Sequence, residues 1–215
     1  VANKYSSVLV QFHYFCNIID KKDMKLNKSN LLIFIILIVA AALYRVWDGR
    51  PMGFAPQIAM ALFAGSVIRD KKWAFLFPVF SMFVSDALYQ LLYSQGLSTI
   101  KGFYGGQWQN YLLIAGLTII GFYINKNKVS HILSGSLTGA VVYFIASNFL
   151  VWIGGGPDIN NQPYSKTWDG FISCYMAAVP FFKWSLLSTF IFSGLFFGAY
   201  YLLGKKALKT EVQSA

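Results

Sequence analysis

WAFLFPVFSMFVSDALYQLLY, residues 73–93, carries a single formal charge, Asp86, and a single proline, Pro78. A helix needs about 20 mostly apolar residues to cross the ~30 Å hydrocarbon core of a bilayer, and this stretch has that length and composition. Comparable runs lie on both sides of it. Leu31 to Trp47 begins LLIFIILIVAAALY, and a shorter run covers Ala55 to Ile68. Downstream come Tyr111 to Ile124 and His131 to Ile153. The last block, Phe171 to Leu203, is too long for one straight span. Its Ala178-Val179-Pro180-Phe181-Phe182 stretch divides it into a short leading segment and a span from Lys183 to Leu203. The expected fold is therefore an all-α membrane protein, a compact bundle of six transmembrane helices.

Composition agrees. The 215 residues are 56% hydrophobic and only 12% charged, against roughly 25% charged in ordinary soluble domains. The excess of Lys and Arg sits in short clusters between apolar runs, which reads as membrane topology rather than a nucleic-acid-binding face. With the N-terminus inside, 13 basic residues fall in inner segments and 5 in or near outer ones. The inner set includes Arg69, Lys71, Lys72, Lys126, Lys128, Lys205 and Lys206; the outer set is Arg45, Arg50, Lys101, Lys166 and Lys183. The positive-inside rule then places both termini in the cytoplasm. The first Met is Met24, so residues 1–23 read as an upstream extension, with an amphipathic surface helix as the competing reading. Residues 24–204 form the membrane domain and residues 205–215 a basic cytoplasmic tail.

Asp86 is the most informative residue. It lies thirteen positions beyond Trp73, or ~20 Å along a helix, in the outer half of the bilayer. A carboxylate there must face a cavity, meet a cation or be protonated. Arg45 and Lys183 are the candidate partners, and a purely structural tie between helices is the competing role. Arg45, Trp47, Asp48 and Arg50 cluster at the outer end of the first span, where an Arg pair suits a carboxylate or phosphate and Trp47 could stack on a flat ring. Interfacial anchoring explains Trp47 equally well. Asn148 and Trp152 share one side of the fifth span, Asn148 as a ligand contact or a shared helix–helix hydrogen bond. The candidate substrate-binding set is thus Arg45, Trp47, Asp86, Asn148, Trp152 and Lys183. Small-residue pairs, Gly135 with Gly139, Gly194 with Gly198 and Ala61 with Gly65, suit close helix packing or docking of a partner helix.

Catalytic readings fail on spacing. His131 and Ser136 point to different helix faces, and Cys174 has no histidine on its side of the membrane. No nucleophile–base pair results, and no metal motif, nucleotide-binding loop or cofactor signature is present. An enzyme is not expected.

Several segments together resemble a known family. They are Ala55-Pro56-Gln57-Ile58-Ala59-Met60-Ala61-Leu62-Phe63-Ala64-Gly65, Arg69-Asp70-Lys71-Lys72 with Ala74-Phe75-Leu76-Phe77-Pro78, and Ser85-Asp86. Ser147-Asn148-Phe149 with Trp152, Tyr164-Ser165-Lys166-Thr167 and Pro180-Phe181-Phe182 extend the pattern. This is similar to an uncharacterised bacterial family of proposed membrane transport proteins, grouped with the substrate-binding S components of energy-coupling-factor (ECF) vitamin transporters. The resemblance implies a multi-pass protein of the bacterial inner membrane with an outward pocket for a small nutrient such as a vitamin. It also implies partners: a transmembrane coupling protein and cytoplasmic ATPases. A non-transporting scaffold or assembly subunit is the alternative. No substrate carries over.

Overall fold

The computed structural model describes the backbone of residues 28–213 and the side chains from residue 35 to residue 202; the expected extension at residues 1–23 lies outside the described residues. Within them the chain is all-helical, with six helices: α1 Lys28–Val46, α2 Gln57–Val67, α3 Lys71–Ser94, α4 Gln107–Phe122, α5 Val129–Ile153 and α6 Trp168–Gln213. Three stretches are long and apolar enough to cross a membrane: α3, α5 and the Trp168–Leu202 part of α6.

The shortest helix occupies the centre. α2 has the sequence QIAMALFAGSV, apolar all round apart from its ends, and such a helix is buried on every side. It packs against α3, α4, α5 and α6. Ile58, Leu62, Phe63 and Val67 form the main core with Met82, Ile114, Leu117 and Phe197. Where α2 meets α4, two glycines face each other. A Cβ on Gly65 would stand 2.2 Å from the Thr118 carbonyl oxygen, and one on Gly121 would stand 2.5 Å from that of Leu62. Only residues without side chains allow the two backbones this close.

α6 departs from expectation. Rather than breaking before Lys183, it runs through Pro180 as one helix of 46 residues. Proline removes one backbone hydrogen bond, but abandoning the rest of the ladder in apolar surroundings would cost more. The same helix continues through residues 205–213, so that much of the expected tail is helical.

The remaining small-residue pairs split. Gly135 abuts Ile124 and Gly139 abuts Leu62, which is internal packing, whereas a Cβ on Gly194 or Gly198 would meet nothing within 4 Å. α5 and α6 are also tied by a buried hydrogen bond of 2.9 Å from the Ser136 hydroxyl to that of Ser193.

At one end of the bundle α1, α3 and α5 finish while α2, α4 and α6 begin, so loops 47–56, 95–106 and 154–167 gather there. The middle loop presses on α3: a Cβ on Gly102 would fall 1.9 Å from the Asp86 carbonyl oxygen. The third loop is an ordered turn. Asp158 accepts backbone N–H groups from Asn160 and Gln162 at 2.8 and 2.9 Å, and these, the Gln162 bond foremost, hold its carboxyl below the usual carboxylate range.

Candidate binding site

The Asp86 side chain is buried, with the residue 2% exposed, and its carboxylate is the hub of a polar network at the loop end. Arg45, in the last turn of α1, forms an ion pair with it through Nη1 and Oδ1. The Arg45 guanidinium also donates to the Ser85 hydroxyl at 2.6 Å. On the far side, Oδ2 accepts from the Gln107 amide and, at 2.8 Å, from the Tyr111 hydroxyl. Both donors come from the first turns of α4. One carboxylate therefore ties α1, α3 and α4 together through three donors.

A second set of bonds closes the end of α1. Its last carbonyls have no partner within the helix. That of Arg45 accepts from Arg50 Nε at 2.6 Å and from the Tyr89 hydroxyl at 2.5 Å. Arg50 in turn donates to the Tyr89 hydroxyl at 2.9 Å. The chain is thus folded back after α1, and both guanidiniums end on the same side.

That side is a cavity of about 330 Å³. Its lining includes Gln57 and Ile58 at the start of α2, with Arg45 and Arg50. Phe144 of α5 and Phe181 and Phe182 of α6 give the lining an aromatic part. Phe144 and Phe182 pack with ring centroids 4.6 Å apart. The volume is at the lower end of the range for small-molecule sites.

Residues 25–212 match the model of a family of unknown function, DUF6580. The chain belongs to that family. No curated protein and no solved structure matches it.

For this DUF6580 chain the expected site residues divide into two groups. Arg45 and Asn148 line the cavity, and Asp86 sits behind Arg45 and orients it. Asn148 spends its amide N–H on its own helix, donating to the Phe144 carbonyl at 2.7 Å, instead of bonding to a neighbouring helix. Trp47, Trp152 and Lys183 do not line the cavity. Trp47 is 59% exposed and lies over the Gly49 backbone in the turn after α1. Trp152 caps the end of α5, donating from Nε1 to the Ser165 carbonyl at 2.9 Å, so it anchors the third loop. Lys183 is exposed, with its ammonium 5.3 Å from the centre of the Trp184 ring. Of the two candidate partners for Asp86 it is Arg45 that pairs with it; Ala178, Phe181, Phe182 and Ser185 are the α6 residues that line the cavity, and Lys183 is not among them.

Three further residues were not among the expected ones. Gln107 and Tyr111 complete the Asp86 network. Gln57 belongs to the cavity lining, 5% exposed.

Proposed function

We propose that this chain is a multi-pass protein of the bacterial inner membrane that binds a small nutrient for uptake, acting as a substrate-binding subunit like the S component of an ECF transporter. In this reading six helices cross or enter the bilayer, both termini are cytoplasmic, and the cavity opens outward. A separate coupling protein and cytoplasmic ATPases would supply the energy. A vitamin-sized molecule suits the cavity. The observation that carries the reading is the cavity itself, with a guanidinium held in place by a buried carboxylate at the bundle end that bears the long loops. Such fixed polar groups on an otherwise apolar concave wall are typical of ligand sites. The role is binding, with no catalysis assigned.

A scaffold or assembly subunit is the second reading. It draws on the open face of α6 at Gly194 and Gly198, where a partner helix could approach closely.

Mass spectrometry of the detergent-purified chain separates the two. Binding predicts a small molecule released on denaturation at close to one per chain. It also predicts loss of that molecule from Ala178→Trp, which fills the cavity from α6, with helicity preserved. Release of nothing from the parent chain, in cells grown on rich medium, favours the scaffold.

Topology is tested separately. Single cysteines at Lys126 should react with impermeant thiol reagents only from the cytoplasmic side, and those at Lys101 only from outside. Labelling of either from the wrong side would overturn the six-span arrangement.

A further inference from the structure

Arg45 spends one nitrogen on all of its hydrogen-bond partners. Nη1 forms the ion pair with Asp86, donates to the Ser85 hydroxyl at 2.6 Å and reaches the Met82 carbonyl at 3.5 Å. Nε and Nη2 have no acceptor among the described residues. Neither atom is sealed off. Among the described residues the buried side-chain nitrogen and oxygen atoms without a partner are both on Gln57, so the two Arg45 nitrogens keep accessible surface. Nε and Nη2 make up the side-on edge of a guanidinium, the edge that takes a carboxylate through two parallel N–H bonds. Asp86 thus fixes the side chain by one corner and leaves that edge open.

The charge balance points the same way. Arg45 and Arg50 both line the cavity. Among the described residues Asp86 is the one carboxylate in ion-pair contact with either of them. Arg50 is held by uncharged groups: the Arg45 carbonyl, the Tyr89 hydroxyl and, at 3.4 Å, the Phe54 carbonyl. Two guanidiniums therefore share one counter-charge, and one positive charge stays uncompensated beside the cavity. A bound monoanion supplies the missing partner, whereas a neutral ligand would desolvate that charge and give nothing in return. Elsewhere in the lining Met82, Ile114, Phe144, Phe181 and Phe182 suit an apolar body.

From these observations we propose that the open edge of Arg45 faces the cavity and receives the carboxylate of a small monocarboxylate with an apolar body, while Arg50 supplies the balancing charge. Asp86 is then a positioning residue, acting on the ligand through Arg45. The proposal rests on the binding reading above and names its substrate class.

The test uses the full chain in detergent, stripped of any bound molecule, and calorimetric titration with benzoate, benzamide and phenylphosphonate. Benzamide has the shape of benzoate without its charge, and should bind at least about tenfold more weakly, the usual scale for losing a charge-assisted hydrogen bond. Phenylphosphonate carries a tetrahedral head with more negative charge than one guanidinium balances, and should also bind more weakly than benzoate. Arg45→Lys keeps a cation for Asp86 but has no planar edge. It should weaken benzoate at least about tenfold, affect benzamide much less and melt close to the parent. Arg50→Gln removes the uncompensated charge without touching Asp86, and should weaken benzoate on the same scale; if neither variant folds, the ratio of benzoate to benzamide affinity on the parent chain carries the same information. Benzamide binding as tightly as benzoate, phenylphosphonate binding more tightly, or benzoate affinity unchanged in either folded variant overturns the proposal and keeps the binding reading. A molecule without a carboxylate, released from the purified chain in the mass-spectrometric experiment above, has the same effect. Failure of every probe to bind the parent at millimolar concentration also overturns the proposal, and that release experiment then decides the binding reading by itself.

Discussion

Asp86→Asn is expected to destabilise the ligand-free protein by about 3–5 kcal/mol, the range for breaking a buried ion pair by removing one partner. The geometry explains why asparagine cannot substitute. Oδ1 faces the Arg45 guanidinium, and Oδ2 receives both Gln107 and Tyr111. An amide supplies one NH2 and one oxygen. Turned toward Arg45, its NH2 sets donor against donor. Turned toward α4, it forces the Gln107 amide to flip and the Tyr111 hydroxyl to rotate, and Arg45 still loses its counter-charge. The double variant Arg45→Met/Asp86→Leu removes both charges together, and apolar replacements of ion pairs are often neutral or stabilising. Here recovery should be partial, because Gln107 and Tyr111 lose their acceptor. Denaturant titration in detergent micelles, comparing the parent, the single and the double variant, measures this. A single variant as stable as the parent would show that the pair does not hold α1, α3 and α4 together.

Gly65→Ala is expected to cost about 3 kcal/mol, at the upper end for overpacking, because the clash is with backbone and no side chain can swing aside. The added methyl would meet the Thr118 carbonyl oxygen at 2.2 Å and the Gly121 Cα at 2.9 Å. α2 must then move away from α4, and it carries part of the cavity lining with it. Gly194→Ala provides an internal control. Its Cβ meets nothing within 4 Å, so the greater helix propensity of alanine should leave it neutral or more stable by up to about 1 kcal/mol. Gly65→Ala should therefore melt below the parent and Gly194→Ala at or above it. Equal shifts would mean that α2 and α4 are farther apart than the structure has them.

Part of this arrangement is legible in the chain before folding. A carboxylate thirteen residues into an apolar helix must find a cation, and Arg45 is the basic residue that ends a neighbouring apolar run at the same level. Charge and depth alone leave Arg45 and Lys183 both open as that cation. Choosing against Lys183 needs the phase of α6, and the phase depends on whether Pro180 breaks the helix. Taking it as a break puts Lys183 at the top of a new span; the helix in fact continues, and Lys183 sits fifteen residues inside it, outside the cavity lining to which Phe182 and Ser185 belong. Trp47 and Trp152 were ambiguous because aromatic residues gather at membrane boundaries whether or not a ligand is present. Gln57 gave no signal of its own. A polar residue after Pro56 at the edge of a short apolar run looks like a boundary residue. Its burial comes from α2 lying at the centre of the bundle, and a helix that is apolar all round gives no periodicity from which to read that position.

The cavity can be understood as the missing part of a helix. Eleven residues of α2 rise only ~16 Å, about half the ~30 Å thickness that a full span would cover. The cavity lies against its amino end, where Gly53, Ala55, Gln57 and Ile58 line it, in the axial room that further turns of α2 would occupy. Pro56 sets the limit, since the residue before a proline is disfavoured in helical geometry and α2 cannot be extended back through Ala55. Pocket depth in this architecture is thus governed by one boundary, the point at which the central helix begins. Moving that boundary by a single turn would change the depth by ~5 Å without altering the contacts among the surrounding helices. A scaffold of this kind can be re-gauged for larger or smaller solutes by a local change in sequence between residues 51 and 57.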